Sequence, residues 1–264
     1  IMAVLDSDTI AHPAIEALFT IDEETGMTGA IGLKGGLLEG EILLNLDTEE
    51  DDEIGVGCAG GVDVTASGSY HQIPAPNGQG YRIIVKGLQG GHSGMDIIKG
   101  LGNANKMMNR LLAANKDVAH IASLAGGSLR NAIPRESTAT VVVKTQDISE
   151  FVLQMEKIQF NLVEEYRLLE PDLTIETQKI DAPQMVMAPK DQTAFINAVY
   201  ATHNGVYRMS PAIEGLVETS NNIAKISVKD ATLKIECLTR SSVDSSKDDM
   251  AATLTSVFEL AGYD

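Results

Sequence analysis

Basic side chains are scarce in this sequence. Twenty Lys and Arg face 37 Asp and Glu across 264 residues, a formal charge of −17. Such a balance repels phosphate backbones and anionic lipid surfaces, which argues against nucleic-acid and membrane partners. Most of it is expected to be solvated surface, to which cation-binding carboxylates would also contribute. Cysteine is nearly absent: Cys58 and Cys237 lie far apart and in no C-x-x-C spacing, so neither a disulfide framework nor a zinc ribbon is signalled, and a reducing, cytoplasmic setting is expected. No run of about 18 apolar residues occurs, and no basic segment leads into an apolar one at the start, so no spanning or targeting segment is read. The sequence has no G-x-S-x-G, and neither cysteine has a neighbouring base, which leaves a covalent mechanism unsupported. Residues 100–105 (Gly-Leu-Gly-Asn-Ala-Asn) lack both the third glycine and the Gly-Lys-Ser/Thr ending of a nucleotide loop.

What is present suits a globular chain: 44% hydrophobic residues can bury a sizeable core. Residues 14–21 and 41–46 are apolar runs ending in carboxylates, at Asp22-Glu23-Glu24 and at Asp47. Each reads as a buried strand, and with a short helical link over 26–33 they predict a parallel βαβ unit whose carboxyl-end rim would hold a ligand. From residue 62 the texture becomes α+β. Strands are expected over 62–70, 81–88, 118–124, 138–145 and 173–180, with helices over 97–114 and 148–169, the latter ended by Pro171. This β-α-β-β-α-β order is the split βαβ, or ferredoxin-like, signature. A helix from about 189, strands over 223–228 and 232–239 and a helix over 248–260 echo it. The expected organisation is a partial α/β domain over 1–60 and an α+β domain over 61–264. Both ends read as cut through a longer protein.

Several polar clusters carry candidate chemistry. Adjacent carboxylates at Glu23 and Glu24 point in different directions past a strand, so one could ligate a metal while the other takes a proton from water. An acidic turn is otherwise ordinary solvent decoration, and Asp47 alone would be a turn cap. His92 stands in Gly90-Gly91-His92-Ser93-Gly94, where small neighbours let an imidazole approach a ligand and donate to a developing oxyanion. Asn131 lies in the polar stretch Leu129-Arg130-Asn131-Ala132-Ile133-Pro134-Arg135-Glu136, and Arg240 ends a strand in Leu238-Thr239-Arg240-Ser241. A guanidinium fork is what a free carboxylate needs, although arginine at a strand end is usually a surface charge. His12, His71, His120 and His203 have no such setting and read as structural.

Taken together, these residues resemble the di-zinc peptidase family that includes carboxypeptidase G, aminoacylase and the carnosinases. The likeness runs along essentially the whole chain, through Glu23 to Ala30, Leu46 to Glu50, Gly57-Cys58-Ala59-Gly60-Gly61, Lys86 to Gly94, Gly100 to Lys106, Leu129 to Glu136 and Gly215 to Ser220. The paired glutamates and the Gly-Gly-His-Ser are general to the family, whereas Cys-Ala-Gly-Gly, Asn-Ala-Ile-Pro-Arg-Glu and Val-Glu-Thr-Ser mark its dipeptidase branch. The resemblance implies hydrolysis of Xaa-His dipeptides by a water that two divalent metals activate, with zinc expected and manganese or cobalt as alternatives. It also implies that Glu23 is the general base, Glu24 and Asp47 are metal ligands, His92 stabilises the tetrahedral intermediate, and Asn131 and Arg240 hold the substrate, under a lid that also pairs into homodimers. The family's upstream His-x-Asp and bridging aspartate and its C-terminal zinc-binding histidine have no counterparts here, so this chain alone is expected to be inactive. Acyl amino acids or longer peptides are the alternative substrates, and a non-catalytic association module is the alternative from another class.

Overall fold

The computed structural model describes residues 1–23, 26–47, 52 and 57–264, and the chain divides into two units, Ile1–Val56 and Gly57–Asp264. The first unit contains two four-residue helices, α1 (Met2–Leu5) and α2 (Thr28–Ile31). The expected strands over 14–21 and 41–46 are not formed, and both stretches run as irregular chain. Exposure accounts for the irregular chain: Ile42 and Leu43 are 84% and 80% exposed. Parallel strands are stable where neighbours bond both edges and helices cover both faces. The described part of the first unit supplies no strand and only two four-residue helices.

The second unit is mixed α+β and its paired strands are antiparallel. In chain order it runs β1 (Gly60–Ser69), β2 (Gln72–Pro74), β3 (Gly78–Lys86), β4 (Gly91–His92), α3 (Ala104–Ala114), β5 (Ala119–Gly126), β6 (Ala132–Ile133), β7 (Ser137–Lys144), α4 (Ile148–Tyr166), β8 (Thr174–Ile180), β9 (Met185–Met187), α5 (Pro189–Ala201), β10 (Gly205–Met209), β11 (Val217–Lys229), β12 (Thr232–Ser241) and α6 (Asp244–Leu260). The main sheet has the order β1-β12-β11-β5-β7-β3-β8. Beyond it, β2 pairs with β9 and β4 with β6.

The edge of β11 that faces away from β12 is shared. Its start pairs with β10, between Gly205↔Asn221 and Met209↔Val217, and its end pairs with β5, between Ile226↔Gly126 and Val228↔Leu124. Between the two partners the register against β12 shifts at Ile223/Lys225, the signature of a bulge. The carbonyls freed there are taken by helix side chains: Asn103 Nδ2 donates to Ile223 O at 3.1 Å, and Asn105 Nδ2 reaches Ile223 O and Ala224 O.

The expected helix over 97–114 is two pieces, a single 3-10 turn at Ile97–Lys99 and then α3. Asn103 is the cause. It is extended, and its Oδ1 accepts the N–H groups of Asn105 and Lys106, which starts a new helix there. Helix α3 buries Met107, Met108, Leu111 and Leu112, α4 buries Phe151, Met155 and Leu162, and α5 begins with Pro189 in its first turn and buries Phe195, Ile196 and Val199. The helices neighbour one another in the order α4, α3, α5, α6 and cover alternate residues of the strands, including Ile83, Val85, Val141, Ile226 and Ile235.

Candidate functional site

A small two-stranded pair stands at the C-terminal end of β12. Strands β4 and β6 align Gly91 with Ile133 and His92 with Ala132. The sequence builds a tight corner after His92. The Asp96 carboxylate accepts the His92 N–H at 2.7 Å, and the Asp96 N–H returns to His92 O at 2.9 Å. Gly91 is required beneath it, because at its φ of 150° a Cβ would lie 2.6 Å from Asp96 Oδ2. Hydrogen bonds from Lys99 and from the His92 amide hold the Asp96 carboxyl below the usual carboxylate range. The Ser93 N–H donates to Asn131 O at 2.7 Å, tying this corner to the residue before β6.

The half-buried His92 ring is oriented by its own loop. Its Nδ1 accepts the N–H groups of Gly94 and Met95 at 3.3 and 3.2 Å. Accepting them requires the Nδ1 lone pair, so the neutral ring carries its proton on Nε2. Arg240, aligned with Ser220 on β11 and with Gly61 on β1, brings Nη2 to 3.4 Å from that Nε2. A guanidinium has no acceptor, so two donors face the same small region. Arg240 Nε is buried and has no hydrogen-bond partner among the described residues. Gly94 makes the approach possible, since a Cβ there would stand 3.1 Å from both Arg240 Cδ and His92 Cε1.

Three of the six expected site residues therefore meet: His92 and Arg240 through their side chains, and Asn131 through its backbone. The neighbouring Arg130 fixes the Asn131 loop, with Nη2 2.6 Å from Thr65 Oγ1 and 2.9 Å from Glu236 Oε1. Burial drives the Glu236 carboxyl upward, but Lys225, Arg130 and Lys234 together outweigh it and leave it below the usual range. From the other side, Asn222 Nδ2 donates to Ala132 O at 2.8 Å and Asn222 Oδ1 faces Asn103 Nδ2 at 3.2 Å.

Sequence reasoning passed over Asn222, Asn103, Asp96 and Glu170. The spacing of Asn103 before an apolar helical stripe was a readable cap signal. Buried contacts of Asn222 and Glu170 with residues up to 119 positions away left no local mark.

The other three expected residues belong to the first unit. Glu23 and Asp47 are exposed, and Glu24 lies outside the described residues. Beside Glu23, the Asp22 carboxylate accepts the Thr28 hydroxyl at 2.8 Å and its carbonyl accepts the Gly26 N–H at 3.2 Å. Among the described residues no group of three or more His, Cys, Asp or Glu side chains is placed to hold a metal ion.

Residues 83–168 match the family described as the peptidase dimerisation domain. Over 264 residues the chain is 39% identical to the cytosol non-specific dipeptidase of Escherichia coli (strain K12), an alignment that covers 99% of this chain and 54% of that protein. The crystal structure of aminoacylhistidine dipeptidase from Vibrio alginolyticus is 41% identical and superposes with a TM-score of 0.83, over 100% of this chain and 54% of that one. The chain spans about half the length of these relatives. Over that half the likeness to these two dipeptidases is continuous in sequence and backbone, and it includes the stretch that matches the peptidase dimerisation domain.

Proposed function

We propose that the second unit is the substrate-holding part of a metal-dependent dipeptidase acting on Xaa-His dipeptides, working in the cytoplasm. One observation carries the reading: His92 Nε2 and Arg240 Nη2, 148 positions apart in the chain, converge to 3.4 Å beside the Asn131 loop, an imidazole next to the guanidinium that a free carboxylate needs. A dipeptide offers an anionic oxygen in its terminal carboxylate, and the carbonyl of its scissile bond becomes a second one as it is attacked. Arg240 is the group for the first. His92, neutral with a proton on Nε2, is the donor for the second, and the Asn131 loop frames the substrate backbone. Fixed donors of this kind stabilise developing charge without having to reorganise.

Metal-borne hydrolysis is assigned to a protein of the relatives' full length, with Glu23 as base and Glu24 and Asp47 as metal ligands. The strand order β8-β3-β7-β5, with α3 and α4 adjacent against it, supports reading 78–180 as the split βαβ layout.

Binding of glycyl-histidine and of its C-terminal amide, compared by calorimetry in wild type and Arg240→Met, tests the clamp. The acid is expected to bind at least about tenfold more tightly than the amide, a difference that Arg240→Met removes. Equal binding of acid and amide by the wild type would take Arg240 out of the clamp.

A second reading, self-association, is favoured by the outer side of α4. Leu153 and Phe160, seven positions apart and so on one helix face, are each 67% exposed, and both lie within the region matched to the dimerisation domain. We infer a homodimer that uses this face.

A further inference from the structure

We propose that Glu170 is a positioning residue for the clamp, a single buried carboxylate that fixes both strands of the β4/β6 pair; this rests on the clamp reading above. Glu170 follows the C-terminal end of α4 and is 2% exposed. Its two oxygens go to two different loops. Oε2 accepts the Gln89 N–H at 2.8 Å, and Oε1 accepts the Gly102 N–H at 2.7 Å. The Gln89 side chain returns a hydrogen bond to Leu169 O, doubling the first attachment.

Each loop leads to one strand of the pair. Along the first, Gln89 is three residues before His92. Along the second, Gly102 precedes Asn103, whose amide meets Asn222, whose amide in turn holds Ala132 O, opposite His92 across the pair. A carboxylate that accepts from two backbone amides is a stronger anchor than a neutral acceptor, and its geometry is set by both at once. The corner at Gly102 is fitted to it, since a Cβ there would come within 3.3 Å of Glu170 Cγ and 2.6 Å of Met107 Cε. The end of α4 thus sets the height of His92 relative to Arg240, which arrives separately on β12.

Glu170→Gln keeps size and shape but turns one acceptor into a donor facing a backbone N–H. Nitrogen NMR of the His92 ring reads the outcome without hydrolysis or metal. In the wild type the Nε2–H tautomer is expected to dominate. In Glu170→Gln, with circular dichroism unchanged, the spectrum is expected to show a mixture of tautomers, and affinity for glycyl-histidine to fall about tenfold, as displacement of a donor predicts. Asn222→Ala, which cuts only the second arm at Ala132, is expected to perturb the same ring and serves if Glu170→Gln does not fold. Wild-type tautomer populations in a folded variant of either kind would overturn the proposal. If glycyl-histidine leaves the wild-type His92 signals unmoved while Glu170→Gln still mixes the tautomers, the dipeptide reading of the clamp falls and the anchoring role of Glu170 stands.

Discussion

Asp96 shows how much of the site depends on one small side chain. Its carboxylate joins the His92 amide to the Lys99 ammonium, the latter at 2.6 Å. Asp96→Asn keeps the shape but loses the charge, and is expected to cost about 1 kcal/mol, the difference between a hydrogen bond to a charged group and a neutral one, read as a lowered urea midpoint. The pH dependence follows from the direction of the shift. Asp96 and Glu236 are both depressed in the folded state, so their stabilisation is fully present above the unfolded-state values near pH 4 and disappears as pH falls through the lower folded-state values. Amide exchange at His92 is therefore expected to stay slow from pH 7 to about 4.5, after correction for intrinsic rates, and to quicken below. The residue types at His92 and Arg240 were readable in the sequence, because glycine neighbours and a strand-end guanidinium are chemical signals. Their approach across 148 positions was not, because it depends on the β11 bulge and on the register of β12.

Among the elements, β5 is completed by a side chain in place of a strand. Only its last residues pair with β11, and at its start Gln192 of α5 takes over the bonding: Oε1 accepts the Ile121 N–H at 2.8 Å, and Nε2 donates to Ala119 O at 2.8 Å and to Lys116 O at 3.0 Å. Gln192→Leu would leave a buried N–H without an acceptor and is expected to destabilise the chain by about 2–3 kcal/mol, with the Ile121 amide losing exchange protection first. A variant as stable as wild type would mean that water replaces the amide. Most elements of the second unit were readable from alternation and helical spacing, since there each strand has neighbours and a helix layer to bury its apolar side. The same patterning misled at 14–21 and 41–46, where apolar content was present but, among the described residues, partner strands were not. β10 was missed because Gly205–Met209 is short and mostly unburied, and is held as a strand only by β11.

In the whole molecule two surfaces matter for function: the outer face of α4 and the corner where β4, β6 and β12 meet. Sedimentation equilibrium is expected to give a dimer, and Phe160→Glu a monomer, because a charge placed in a desolvated apolar contact is strongly unfavourable; a wild-type monomer would remove the self-association reading. The corner is where Arg240 is proposed to receive the terminal carboxylate of a dipeptide and His92 the carbonyl of the bond attacked. A crystal structure of this chain with glycyl-histidine would show whether they do. A carboxylate oxygen is expected within about 3 Å of Arg240 Nη2 and the scissile carbonyl oxygen within about 3 Å of His92 Nε2, hydrogen-bonding distance in each case. A dipeptide bound elsewhere, or an empty corner at saturating ligand, would contradict it.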